Sequence, residues 1–330
     1  AGALYAKYLD RHGNIQYNPF NLLPLKNGLN LNNSDSINNL ILEDSPDYGG
    51  FWFFCFSKET VDEMELPMPF FIRADDVEFG LRITKSLGKS IVALPGIAVW
   101  HEPFYAKNPT WANYYECRNF LVLHSIRGSL KYLDLVNILT KRLLNKIFIF
   151  DYNSAEMIIN GFEDYMKGPL VFKSIDPEFL HSKVLENSKK YKTESVQDNS
   201  TFKYEIDSQF RSDNHSKNPL KIIIGILTLN GHLLPNFWLV NNNTLYCVGS
   251  GYSDSWHKVF AKKQVIISRD GNSSIYKYEM DRSSGIGILM RWFQIVIKSA
   301  TRWSSVTFEW KNAFKYFTSM EFWKDYLKLN

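Results

Sequence analysis

Three acids and one imidazole carry the chemistry this sequence can be read to hold. Asp75, Asp76 and Glu78 fall within four positions, in Phe71-Ile72-Arg73-Ala74-Asp75-Asp76-Val77-Glu78-Phe79-Gly80-Leu81-Arg82. His101 follows an apolar run in Leu94-Pro95-Gly96-Ile97-Ala98-Val99-Trp100-His101-Glu102. A carboxylate can take the proton of an attacking hydroxyl, and an imidazole can hold a divalent ion. Brought into one pocket, the two would meet the needs of inverting sugar transfer from a nucleotide donor. Asp76 is the candidate base, and a place near a helix N-terminus predicts that it stays ionised at neutral pH. His101 is the candidate metal ligand. Each has a plainer reading. Asp75-Asp76 also reads as a helix cap with a first-turn companion, and His101 as a hydrogen-bonded structural histidine; taken singly, those are the commoner outcomes.

Aromatic neighbours extend the set. Trp52, Phe53, Trp100 and Phe104 could line a sugar site, although alternate positions of a buried strand explain Trp52 and Phe54 equally well. Arg118 and Asn119 would order the floor of the site or meet the substrate. The other histidines, His12, His124, His181, His215, His232 and His257, have no partner at useful spacing.

The elements that must position these groups read as an α/β layer structure. Gly49-Gly50-Phe51-Trp52-Phe53-Phe54-Cys55-Phe56 reads as a buried strand. Ser57 then caps a helix that Pro67 and Pro69 end. Asp75 or Asp76 caps the next helix, 77–87, which stops at Gly88. Ser90–Leu94 and Ile97–Trp100 read as strand. From Trp111 the spacing is helical, with further helices over 130–147 and 154–167. Residues 188–218 are polar and read as a linker or long loop. Ile222–Leu229 reads as an apolar strand closed by Asn230-Gly231, and Asp270-Gly271 as the turn of a hairpin. Residues 285–317 and 319–328 read as helical, with Trp292, Phe293, Trp303, Trp310 and Trp323 as packing residues.

Composition narrows the class. With 45% hydrophobic and 22% charged residues among 330, the chain is globular rather than disordered. A net charge of +4 with scattered Lys and Arg is no nucleic-acid signature. Cys55, Cys117 and Cys247 are odd in number and lack metal spacing, so they read as free thiols in a reducing compartment. Leu133–Phe150, the most apolar helical run, is broken by Asp134, Lys141, Arg142 and Lys146, which fits a packed amphipathic helix better than a membrane span. The expected location is cytoplasmic, with possible attachment to the inner face of the membrane. The chain opens on Ala1-Gly2-Ala3-Leu4 and reads as the C-terminal portion of something longer.

At Phe51-Trp52, Pro69–Arg82, Leu94-Pro95-Gly96 and Val99–Glu102 the sequence resembles the family 2 galactofuranosyltransferases that polymerise cell-wall galactan. Weaker likeness extends through Tyr114–Asn119, Phe162–Pro169 and Thr318–Trp323. The resemblance implies a GT-A fold with helical C-terminal additions, and inverting transfer of galactofuranose from UDP. It puts Asp76 at the catalytic base, Asp75 at an acceptor contact, His101 at the Mn2+ or Mg2+ ion, and Phe51-Trp52 at an aromatic pair by the acceptor. Glu78 and Trp100 complete the expected substrate contacts. Two departures stand out. Ala74 occupies a position where those enzymes usually carry Trp, and no Asp-x-Asp metal motif or uridine pocket is found; Asn33-Ser34-Asp35 is the nearest echo.

The expected organisation is therefore an acceptor-side half of a GT-A domain over 1–125, a helical segment over 126–187, a linker over 188–218 and an accessory region over 219–330. Expected partners are a UDP-sugar donor, a glycan or lipid-linked glycan acceptor, a membrane surface and a second copy of the chain, and no nucleic acid. A non-catalytic carbohydrate-binding or assembly module that kept the fold is the rival reading.

Overall fold

The computed structural model describes residues 46–51, 53–92, 109–128, 130–174, 176–195, 219–240, 245–247, 256–268 and 275–329. Helices dominate. In chain order they are α1 (Lys58–Met64), α2 (Asp75–Leu81), α3 (Ala112–Arg127), α4 (Tyr132–Phe148), α5 (Tyr152–Met166), α6 (Leu170–Ser174), α7 (Pro177–Asn187), α8 (Pro219–Leu227), α9 (Arg282–Ala300), α10 (Trp303–Phe317) and α11 (Met320–Leu327). The strands are β1 (Glu194–Ser195), β2 (Leu245–Cys247), β3 (Gln264–Ser268) and β4 (Ile275–Glu279).

The centre of the molecule is α3 against α5. Every residue from Ala112 to Ser125 is buried, so α3 has no solvent face through most of its length. Gly161 of α5 lets the two helices touch, because a Cβ there would lie 2.5 Å from the Tyr114 carbonyl oxygen and 3.0 Å from the Cys117 Cβ. Around this pair α4 contributes Leu135, Leu139, Leu143 and Ile147, a stripe at four-residue spacing with each side chain fully buried. Each such burial is worth roughly 1.5–3 kcal/mol, which explains why the charges between them do not stop the helix from packing.

From the other side α9 and α10 close the core with tryptophans whose indole N–H groups stay satisfied. Trp292 donates to Thr140 Oγ1 (2.8 Å) and Trp310 to the Tyr165 carbonyl (3.0 Å). Arg291 reaches back to Glu156 and Glu163 on α5. Trp292, Trp303 and Trp310 are buried as expected, whereas Phe293 stands half exposed.

A small mixed sheet is ordered β1-β4-β3-β2. β3 and β4 are antiparallel from Gln264↔Glu279 to Ser268↔Ile275, the hairpin arms read from the sequence, and β2 runs parallel to β3. The described residues are thus mostly helical with a small sheet, a mixed helix-and-sheet arrangement.

Two sequence expectations are corrected. Ile222–Leu229 is not a strand: residues 219–227 form α8, opened by Pro219, a residue pre-shaped for a first helical turn. Gly49–Phe56 is not a buried strand: the described residues of this run are irregular, and Phe51, Phe53 and Phe56 are exposed. Among the described residues of 46–92 there are two α-helices and a π-helical turn (Arg82–Ser86) but no strand. Residues 93–100, where more strand was expected, lie outside the described residues, as does most of the 188–218 linker.

Candidate functional site

The acidic motif follows an unusual piece of backbone. Phe71, Arg73 and Ala74 all adopt positive φ, at 68°, 70° and 69°. None is glycine, and a bulky side chain in this region is strained by roughly 1–3 kcal/mol. Asn119 of α3 holds the shape. Its side-chain amide donates to the carbonyls of Phe70 (3.0 Å), Ile72 (2.8 Å) and Arg73 (3.0 Å). Arg118 orients that amide by donating from Nε to Asn119 Oδ1 (2.9 Å), and it also donates to Tyr114 Oη (3.2 Å). The two amide hydrogens, shared among three carbonyls at roughly 0.5–1.5 kcal/mol per hydrogen bond, offset only part of three strained residues. Burial of Phe70 and Ala74, 0% and 2% exposed, must supply the rest. Asn119 thus orders the floor, one of the two roles open to it from sequence.

Asp75 and Asp76 open α2 directly after this loop. Neither is the cap that the sequence suggested: Ala74 occupies the cap position, in the left-handed region, and makes no side-chain cap bond. Asp76 Oδ1 accepts from the Val77 N–H at 2.8 Å. Both carboxylates are half-buried. Burial first, and then the negative charge of Asp75, push the Asp76 carboxyl up to about 7. Burial also raises Asp75. The expectation of a fully ionised Asp76 at neutral pH is therefore corrected. A seven-residue helix offers a weak dipole, and loss of hydration outweighs it. The outcome is a paired carboxylate poised to gain or lose a proton near neutrality.

Glu78, expected among the substrate contacts, is turned inward and fully buried. Oε2 meets Arg82 Nη2 at 2.9 Å and Oε1 meets Arg127 Nη2 at 3.1 Å. Arg82 then donates to the Met64 and Leu66 carbonyls, at 2.5 and 3.0 Å. Glu78 therefore ties α2 to α1 and α3, with its oxygens committed to arginines. Phe51 is partly exposed and packs edge-on against Phe79 of α2, with ring centres 5.6 Å apart, which keeps it on the acidic helix. Trp52, Trp100 and His101 lie outside the described residues. Among the described residues no group of three His, Cys, Asp or Glu side chains could hold a metal ion. Cys55 is a free, exposed thiol and Cys117 a free, buried one.

Sequence reasoning missed an aromatic group beside the strained loop. Phe71, Trp111, Tyr115 and His181 come together although they are spread over more than a hundred positions. Tyr115 Oη lies 3.1 Å from His181 Nδ1, and the Phe71 and His181 rings are 5.2 Å apart. Spacing gave no signal for it, because the partners sit on a loop, α3 and α7.

No protein-family model matches the chain. Two galactofuranosyltransferases resemble part of it. Over 125 residues, 37% of the chain and 19% of the relative, it is 29% identical to galactofuranosyltransferase GlfT2 of Mycolicibacterium smegmatis. Over 128 residues, 37% of the chain and 20% of the relative, it is 31% identical to galactofuranosyltransferase GlfT2 of Mycobacterium tuberculosis. The chain spans about a fifth of the length of these curated relatives, and the similarity is a galactofuranosyltransferase-like relationship over part of each.

Proposed function

We propose that this chain supplies the acceptor side of an inverting glycosyltransferase of GT-A type. It would add galactofuranose or a similar sugar from a UDP donor to a surface polysaccharide or lipid-linked glycan. The acceptor hydroxyl attacks the anomeric carbon from the face opposite UDP. The new C–O bond forms as the bond to the diphosphate oxygen breaks, UDP leaves with the electron pair, and the hydroxyl proton passes to the Asp76 carboxylate. Asp75 shares the acceptor contact and, by its charge, keeps Asp76 basic. Asn119 and Arg118 position both by fixing the loop before them.

The observation that carries this reading is the Asp76 carboxyl, held near 7 at the end of a strained, clamped loop, in a chain similar to two galactofuranosyltransferases. A base of that strength works best close to physiological pH. A Mn2+ or Mg2+ ion on His101 belongs to the same proposal; the described residues alone do not make a metal centre, and no step here is routed through one. Location at a membrane surface belongs to it too. Its support is the exposed apolar stretch of Ile223, Ile226 and Leu227 on α8 with Leu233, Phe237 and Trp238 beyond it. Among the described residues no helix is long and apolar enough to cross a membrane.

The test is transfer from UDP-galactofuranose measured against pH in the full-length protein. The acid limb of kcat/KM is expected near pH 7, moving to lower pH in Asp75→Asn. Asp76→Asn is expected to lose about 100-fold or more. Turnover within a few-fold of wild type would remove Asp76 as the base.

A further inference from the structure

A small depression opens where the Phe71 loop, α3, α7 and α11 meet. Phe71, Tyr115, Leu180 and Tyr326 line it, with the buried Arg118 in its wall. Next to it, Trp111 and His181 continue the aromatic surface, their rings 5.2 Å apart and nearly perpendicular. Phe71 lies 5.7 Å from Tyr115, ring centre to ring centre.

Phe71 is the anomaly. The residue is 53% exposed although its backbone is strained at φ 68°. Asn119 grips the carbonyls on both sides of it, those of Phe70 and Ile72. The internal packing of the phenyl ring is limited to one side, against Tyr115 and His181, and the exposed half gains nothing from the core. Such outliers persist where they present a group to a ligand. Beside the ring stands the His181 imidazole, hydrogen-bonded to the hydroxyl of the buried Tyr115, and Tyr326 lines the same depression. Apolar faces with a few convergent donors and acceptors are what a sugar ring needs, since it offers a C–H face and a rim of hydroxyls.

Placement fixes the role. Phe71 precedes Asp75 by four residues, so the chain between them spans at most about 14 Å. We propose that Phe71 and His181, backed by the buried Tyr115, form a stacking subsite for a sugar ring of the acceptor glycan, one or more units away from the hydroxyl presented to Asp76. The identity of the glycan rests on the function proposed above; the aromatic subsite itself does not.

The full chain is titrated with an oligosaccharide of galactofuranose, followed by saturation-transfer NMR and calorimetry. Phe71→Leu is expected to weaken binding about tenfold, the loss of one stacked ring, and Phe71→Tyr to retain it. His181→Ala carries the same expectation as Phe71→Leu and decides the matter should the latter not fold. Asp76→Asn is expected to leave oligosaccharide binding in place. In the transfer assay Phe71→Leu should raise the acceptor KM with kcat little changed. Binding and acceptor KM unmoved in both Phe71→Leu and His181→Ala would overturn the subsite, even if transfer still depends on Asp76. Phe71-dependent binding in a protein whose transfer survives Asp76→Asn would keep the subsite and overturn the catalytic reading.

Discussion

Replacing Asp76 by Asn should make the protein more stable, and increasingly so as pH rises from 5 to 8. Asn keeps an Oδ1 able to accept from the Val77 N–H, so the swap removes the ionisable group and little else. In the folded state the Asp76 carboxyl lies near 7, against an ordinary value of 3.8. Its charged form is thus the one that folding disfavours. Below the unfolded value both states hold the proton and the residue contributes no penalty. Between the two values the unfolded chain releases a proton that the native chain keeps, so wild-type stability falls as pH rises. Above about 7 the penalty is complete and constant. One step on the pKa scale is worth about 1.4 kcal/mol, which sets a ceiling of about 4 kcal/mol. Asp76 retains some solvent and shares its proton with Asp75, so about 2 kcal/mol is the realistic size. Urea denaturation of wild type and Asp76→Asn at pH 5 and pH 8 reads the difference directly. The gap is expected to be clearly smaller at pH 5 than at pH 8, where it is complete. An equal gap at both pH values, or a variant less stable than wild type at pH 8, would refute the claim that burial and Asp75 set the proton affinity here.

Two other outcomes follow from the same structure. Asn119→Ala leaves three carbonyls of the strained loop without their donor and should cost about 3 kcal/mol in urea denaturation, with a parallel loss of transfer; a change below about 0.5 kcal/mol, the scale of an ordinary surface substitution, would show the clamp to be idle. Co-flotation with anionic liposomes should occur for wild type and drop at least about tenfold when Phe237 and Trp238 are both changed to Glu, since each buried ring is worth roughly 1.5–3 kcal/mol; equal flotation of the two proteins would rule out this patch as the membrane contact.

Much of the helical frame was legible, because periodicity is written locally. The packed amphipathic helix α4, the Ser57 cap that accepts from the Thr60 N–H and the arms of the β3–β4 hairpin all stand where the sequence put them. The failures have physical causes. A short apolar run such as Ile222–Leu229 satisfies helix and strand alike, and its Pro219 was the cue left unread. Aromatic residues at Gly49–Phe56 suggested a core, yet three of the four described ones, Phe51, Phe53 and Phe56, face outward, because hydrophobicity alone does not say which side of a loop is covered. At the site, the acidic pair was visible but its proton affinity was not. That depends on how much water the fold removes and on Asp75 beside it. Nothing in the residue types Phe, Arg and Ala announces three left-handed conformations. They are imposed from α3, some 46 to 49 positions later in the chain.

The segment leading into that loop is anchored from farther still. The Leu66 N–H donates to the Thr318 carbonyl at 2.8 Å, Thr318 Oγ1 donates to Glu65 Oε2 at 2.7 Å, and Trp323 Nε1 donates to the Pro67 carbonyl at 2.9 Å. These partners are about 250 positions apart, so their loop closure is among the costliest in the chain and belongs late in folding. During synthesis the acidic motif leaves the ribosome long before the helices that brace it exist. Until residues 318–323 have been made, the segment ahead of the two aspartates lacks all three of these anchors.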